Sequence, residues 1–138
     1  MPTTRPGFAT PAIASVLERF YRCNDGLIRR IDLAFEPDRD DSRATIVCSV
    51  KDDAADAAWV NVIFQVRGLR EVAMVEGQTS FRVLSDGLTV GWFDGLIFLD
   101  FGPYTSEPRG VDDFRRSRCY FAGLTATCEV APYAESTA

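Results

Sequence analysis

The chain of 138 residues contains no histidine. That absence removes the Ser-His-Asp and Cys-His mechanisms, the commonest general base, and the mixed Cys/His zinc sites. What remains for catalysis is carboxylates, tyrosine, arginine or a cysteine without its base. Lysine is nearly missing too: Lys51 stands alone, and arginine supplies the rest of the positive charge. The arginines form no cluster in sequence and the net charge is −5, so neither nucleic acid nor a membrane surface is expected as a partner. Cys23, Cys48, Cys119 and Cys128 show no C-x-x-C spacing, which leaves reduced core thiols as the expectation, with a Cys119–Cys128 pairing as the oxidised alternative. No apolar run approaches the roughly 18 residues of a membrane span. The opening MPTTRPGFATPA lacks the apolar core of a secretory signal. A cytoplasmic protein with no cofactor and no metal is the expectation.

Several motifs are absent or incomplete. There is no Walker loop, no dinucleotide-binding glycine pattern and no glycosylation sequon. The runs Asp38, Asp40, Asp41 and Asp52, Asp53, Asp56 lack the glycine and the closing glutamate of a calcium loop, and read as solvated turns. Asp100-Phe101-Gly102 spells a kinase tripeptide, but nothing else of a kinase accompanies it.

With 46% hydrophobic and 25% charged residues, the composition is that of an ordinary globular domain. One domain over 1–138 is expected, with 1–9 and 131–138 as loose tails. A helix should begin at Thr10 as N-cap and Pro11 as first helical residue. It carries an apolar stripe of Ile13, Val16, Leu17, Phe20 and Tyr21 and should end near Cys23. Strands follow by alternation: Ile31, Leu33 and Phe35; then Ile46, Cys48 and Val50; then Val60, Val62, Phe64 and Val66. The stretch 68–77 reads as a bent or bulged strand continuation. Residues 102–116 read as a long charged loop with one helical turn at 111–116.

The segment FRVLSDGLTVGWFDGLIFLDF, 81–101, is the most informative. Asp86-Gly87 and Asp94-Gly95 each sit between apolar runs, the strongest local signal for a hairpin with a type I′ turn. Three antiparallel strands then follow by counting. Val83 faces Val90 and Phe81 faces Trp92; on the next strand Trp92 faces Ile97, Val90 faces Leu99 and Leu88 faces Phe101. One face is apolar. The other carries Arg82, Thr89, Phe93, Phe98 and Asp100, with Phe98 across from Gly91 and Arg82 diagonal to Thr89. That mixed face is either covered by another element, the reading favoured here, or an exposed patch with a polar rim that marks a partner or dimer surface. A last hairpin is counted around Gly123-Leu124, with Cys119 facing Cys128 and Phe121 facing Ala126.

The expected architecture is α+β: one N-terminal helix packed on a curved, mainly antiparallel sheet of about seven or eight strands, with a closed or half-open barrel as the alternative. The order of one amphipathic helix, a meander and DGLTVGWFDGLIFLDFG resembles small, uncharacterised bacterial domains, some of which serve as immunity proteins. That resemblance implies a protein-binding inhibitor and assigns no residue a role.

The residues themselves point to a non-enzymatic domain that binds another protein or a second copy of itself. Its candidate surface is Arg82, Thr89, Phe93, Phe98 and Asp100 together with Tyr104, Glu107, Arg109 and Asp112 of the loop. Two rivals follow from the same residues. One is a small-molecule-binding barrel lined by Phe81, Trp92 and Phe101. The other is an enzyme using Asp32, Arg82, Asp100 or Tyr104.

Overall fold

The computed structural model describes residues 11–52, 58–77 and 80–134. Within them lie two helices, α1 (Pro11–Arg19) and α2 (Val111–Arg115), and nine strands. The strands are β1 (Gly26–Ala34), β2 (Arg43–Asp52), β3 (Ala58–Arg67), β4 (Glu71–Met74), β5 (Val83–Leu84), β6 (Thr89–Phe93), β7 (Leu96–Asp100), β8 (Cys119–Gly123) and β9 (Thr125–Pro132). They form two antiparallel sheets in the orders β5-β1-β2-β3-β9 and β4-β8-β7-β6. The α+β class stands. The one curved sheet does not, and neither sheet closes into a barrel.

The two sheets share a bent ribbon. β3 leads into β4 through Gly68, and β8 leads into β9 through Leu124. The two arms pair on both sides of the bend, Arg67 with Thr125 and then Glu71 with Ala122. Residues 68–70 on one arm face only 123 and 124 on the other, so the bend holds a bulge, the usual device for turning a strand out of one sheet and into the next. Backbone bonds carry the ladder round the corner: Leu124 N–H to Arg67 O at 2.9 Å and Arg70 N–H to Ala122 O at 2.8 Å. The bulged continuation expected at 68–77 is therefore present as far as Met74. The hairpin expected at Gly123-Leu124 is not, because β9 pairs with β3 while β8 pairs with β4 and β7. Cys119 and Cys128 thus sit on strands of different sheets, and all four cysteines are free.

The core lies between the sheets. Ile46, Cys48 and Val50 of β2 and Val62, Phe64 and Val66 of β3 are buried on one side, as their alternation required. Ile97, Leu99 and Phe121 meet them from the other sheet, and Ile13, Val16 and Phe20 of α1 join the same cluster. Phe101 packs edge-on between Phe64 and Phe121, with ring centroids 5.6 Å and 5.8 Å apart, an arrangement worth about 1 kcal/mol per pair beyond the area buried. Phe81 and Phe101, which the barrel alternative placed around a ligand, are buried in this cluster, and Trp92 packs against it.

Three side chains leave the faces their spacing assigned. Tyr21 is 67% exposed because α1 stops at Arg19 and the chain turns away. Phe35 is 71% exposed because β1 ends at Ala34. Val83 is exposed because β5 pairs with β1, Leu84 opposite Gly26 and Leu27 opposite Val83, and not with β6. A bulge between Ile28 and Arg30 shifts the parity of β1, which lets Ile28 and Ile31 both reach the core. At the far end, β9 runs through Pro132, into the stretch expected as a tail. Thr10, the stretch 1–9 and residues 53–57 with Asp53 and Asp56 lie outside the described residues. Asp52, read with them as a solvated turn, is instead buried at the end of β2 and paired with Arg19.

Candidate functional site

The mixed face of the β6–β7 hairpin is covered. The hairpin itself has the counted register, Thr89 opposite Asp100, Val90 opposite Leu99 and Trp92 opposite Ile97. On its outer side α2 lays Phe114 flat on Phe98, with ring centroids 4.6 Å apart and planes 20° apart. The ring over Gly91 is also that of Phe114, not that of Phe98: a Cβ added to Gly91 would stand 2.6 Å from its Cζ. Phe93 and Tyr120 complete this second cluster. α2 is too short to stand on propensity alone. A fork from Arg115 to the two carboxylate oxygens of Glu71, at 3.1 and 2.7 Å, ties it to β4, and the Tyr120 hydroxyl donates to Glu71 at 3.0 Å.

Asp100 anchors the loop that precedes α2. Its carboxylate accepts the Gly102 N–H at 3.1 Å and the Ser117 hydroxyl, and Ser117 in turn accepts the Tyr104 N–H at 2.9 Å. Burial pushes the Asp100 carboxyl up to about 7, against the opposing pull of those two donors. Across the hairpin, Thr89 Oγ1 is a buried hydroxyl oxygen with no hydrogen-bond partner. Thr89, Phe98 and Asp100 are all buried. They pack and pin the loop, and they offer no surface to a partner.

The remaining expected site residues are scattered. Arg82 lies before β5, exposed and paired with Glu76 at 3.3 Å, so it is not diagonal to Thr89: the first hairpin of the meander does not form. Phe93 is half-buried and lines a surface hollow of about 590 Å³ with exposed Arg109 and Asp112. The Arg109 N–H donates to the Asp113 carboxylate at 2.8 Å. Glu107 is exposed on the loop, its N–H bonded to Thr105 Oγ1 at 3.2 Å. Asp32 pairs with Arg30 on the surface of β1. Of the four residues named for catalysis, Asp100 and Tyr104 meet only through Ser117, by the Asp100 carboxylate and the Tyr104 backbone N–H, while Asp32 and Arg82 each pair elsewhere, with Arg30 and Glu76. The cysteines are no better placed as nucleophiles: burial pushes Cys23 and Cys119 up to about 12 and Cys128 up to about 11.

A different surface stands out, and sequence reasoning missed it. After α1, Tyr21, Arg22 and Cys23 all adopt left-handed backbone, with φ of 52°, 57° and 61°, and Asp25 follows at 63°. Left-handed conformation costs a non-glycine residue about 1–2 kcal/mol, so three in succession must be enforced by what surrounds them. The enforcement is visible. Buried Phe20 and buried Cys23 clamp the turn at both ends. Asp25 N–H reaches Leu84 O at 2.7 Å, and Leu88 N–H reaches Arg22 O at 2.6 Å. Gly87, at φ 74°, leaves room for that carbonyl; a Cβ there would stand 2.8 Å from Arg22 O.

The turn thereby displays Tyr21 and Arg22 on one rim of a groove of about 560 Å³. Asn24, Ser85 and Asp86 line it, and the segment from Pro103 to Ser106 forms another part of its wall. Tyr104, 56% exposed, stands in that wall with the Arg116 guanidinium 5.2 Å from its ring centroid and Nη1 donating to its hydroxyl at 3.1 Å. A smaller groove shares Ser85, Asp86 and Pro103 and continues to Phe81, Val83 and Arg118. Of the expected site residues, only Tyr104 belongs here. Asn24, Asp25 and Gly26 are residue types that favour a turn, but nothing in Tyr-Arg-Cys before them signals left-handed backbone. Among the described residues there is no group of acidic or sulfur side chains arranged to hold a metal, and no helix long and apolar enough to cross a membrane. No protein-family model, no curated protein and no solved structure matches this chain.

Proposed function

We propose that this chain is a non-enzymatic binding domain that acts through contact with another protein, and that the contact is made at the groove between the 21–24 turn and the 103–106 segment. One observation carries the reading: three consecutive non-glycine residues are kept in left-handed backbone, and the first two, Tyr21 and Arg22, are exposed and line the groove. Strain of this kind clusters at functional sites, and tyrosine and arginine are enriched among the residues that carry binding energy at protein interfaces. Exposed Tyr104, held by Arg116, adds a third anchor of the same chemistry. The buried Phe98, Thr89 and Asp100 no longer contribute to this reading.

A photoreactive amino acid at position 104, introduced in the organism that encodes the chain, tests it. A discrete cross-linked protein is expected from position 104 and not from position 127, which lies on the outer strand β9, and Tyr21→Gly should abolish it. Equal cross-linking from both positions, or none at 104, refutes the reading. If the captured protein is the chain itself, the contact is a homodimer. If it is a toxin whose activity falls on binding, the domain is an immunity-type inhibitor.

A further inference from the structure

The strained turn displays a cation as well as an aromatic ring. In a chain of net charge −5, most of the arginines near carboxylates are already paired: Arg19 with Asp52, Arg30 with Asp32, Arg70 with Asp40, Arg82 with Glu76 and Arg115 with Glu71. Arg22 is held differently. Its Nη2 reaches only the backbone carbonyl of Asp86, at 3.5 Å, and among the described residues no carboxylate neutralises it. Arg116, behind Tyr104, is likewise held by a ring and a hydroxyl, both neutral. A guanidinium has five N–H donors in a planar fork, so Arg22, with one long contact of 3.5 Å, keeps most of its donors unspent.

Resting on the protein-contact reading above, we infer that the groove takes an extended segment of the partner that bears an acidic side chain, with the carboxylate received by Arg22. The match is chemical. The guanidinium fork suits a carboxylate. Asn24, Ser85 and Asp86 along the wall supply acceptors for the N–H groups of a peptide backbone, and Tyr21 and Tyr104 supply apolar cover at the rims. The Asp86 carboxylate in the same wall and the net charge of −5 oppose any anion, and they oppose a doubly charged phosphate or a polyanion more strongly than one carboxylate held at the Arg22 fork. Because Arg22 is exposed, the charge contact sets preference and association rate more than total affinity.

The test is a random dodecapeptide library displayed on phage and panned on the whole chain, followed by titration of the selected peptides as synthetic probes. Arg22→Gly is the variant of choice: glycine adopts the left-handed backbone freely, so the turn survives while the guanidinium is lost. Peptides enriched in aspartate and glutamate are expected, binding Arg22→Gly about tenfold more weakly than the native chain, an effect that shrinks as salt rises. Arg116→Gln should weaken binding less. Selected peptides that require Tyr21 and Tyr104 but show no acidic bias, or that bind Arg22→Gly as tightly as the native chain, overturn the acidic-segment inference and leave the protein-contact reading standing. An empty selection, or peptides indifferent to both Tyr21→Gly and Tyr104→Ala, overturns both.

Discussion

Asp86-Gly87 and Asp94-Gly95 are the same dipeptide in the same setting, between apolar runs eight residues apart in one chain, and they do different things. At Asp94-Gly95 both residues have positive φ, 54° and 76°, and the turn joins β6 to β7 in the counted register. At Asp86-Gly87 only the glycine is left-handed, at 74°. There the chain does not fold back on itself; β5 stays with the other sheet and β6 begins anew at Thr89. A type I′ turn over Asp86-Gly87 requires positive φ at both; instead the bonded turn runs from Leu84 to Gly87 at 3.2 Å, with Ser85 and Asp86 at its centre, and the next N–H, that of Leu88, goes to Arg22 O at 2.6 Å. A local signal decides a turn only where no distant partner competes for the same backbone groups.

Substituting the two glycines breaks that comparison most directly. At Gly87 alanine meets both the left-handed backbone and the Arg22 carbonyl at 2.8 Å, so a loss of about 4 kcal/mol is expected, from about 1–2 for conformation and about 1–3 for overlap with backbone that cannot yield. Urea denaturation measures it. A Gly87→Ala chain as stable as the native one would show that the 21–23 turn is not clamped there.

The open end of the β6–β7 hairpin, where Thr89 faces Asp100, sharpens the comparison by pH. The folded chain keeps the proton on Asp100 up to about pH 7, whereas the unfolded chain releases it near 4. The folded state therefore binds the extra proton between these values, and stability falls as pH rises through the window, by about 3–4 kcal/mol in all. Glu71 contributes with the opposite sign, since the Arg115 hydrogen bond lowers its carboxyl, and its effect is confined to acid. In Asp100→Asn the decline between pH 4 and pH 7 should disappear, read as a flat denaturation midpoint. A decline that survives the substitution assigns the proton to another group.

Gly95→Ala tests the same φ without the crowding. Nothing lies within 4 Å of the added Cβ, so only the conformational cost of about 1 kcal/mol is expected. The smallest effect belongs to Arg22→Gly. Relief of about 1 kcal/mol of left-handed strain is nearly cancelled by the greater freedom glycine has when unfolded, about 0.5–1 kcal/mol. Stability should match or slightly exceed that of the native chain; a loss above about 1 kcal/mol would mean that the guanidinium is a structural group.

The same contrast explains what the sequence made legible. The buried faces of β2 and β3 followed from alternation, because a strand with one apolar side has a single register that buries it. The helical turn near 111–116 was readable as well; the sequence supports two readings of the mixed face, covered or exposed, and the structure covers Thr89, Phe98 and Asp100 while Arg82 stays exposed. The identity of the cover was not readable, since it depends on Arg115 finding Glu71, 44 residues away. The Gly123-Leu124 hairpin failed for a related reason. The facing residues counted across it match in sequence, but β9 gains a partner of full length in β3, from Arg67 opposite Thr125 to Val60 opposite Pro132.

By itself, then, the sequence determined the α+β class, the inward faces of the central strands, the Asp94-Gly95 hairpin and the exclusion of histidine chemistry, all of which depend on residue identity and short spacing. The tertiary structure alone decided the split into two sheets, the burial of Thr89, Phe98 and Asp100, and the left-handed turn that sets Tyr21 and Arg22 beside the groove. Each of those is a competition between backbone partners far apart in the chain. Free energies of that kind are settled by which segments meet, and three residues such as Tyr-Arg-Cys enter a strained conformation only once Phe20, Leu84, Gly87 and Leu88 are in place to hold them there.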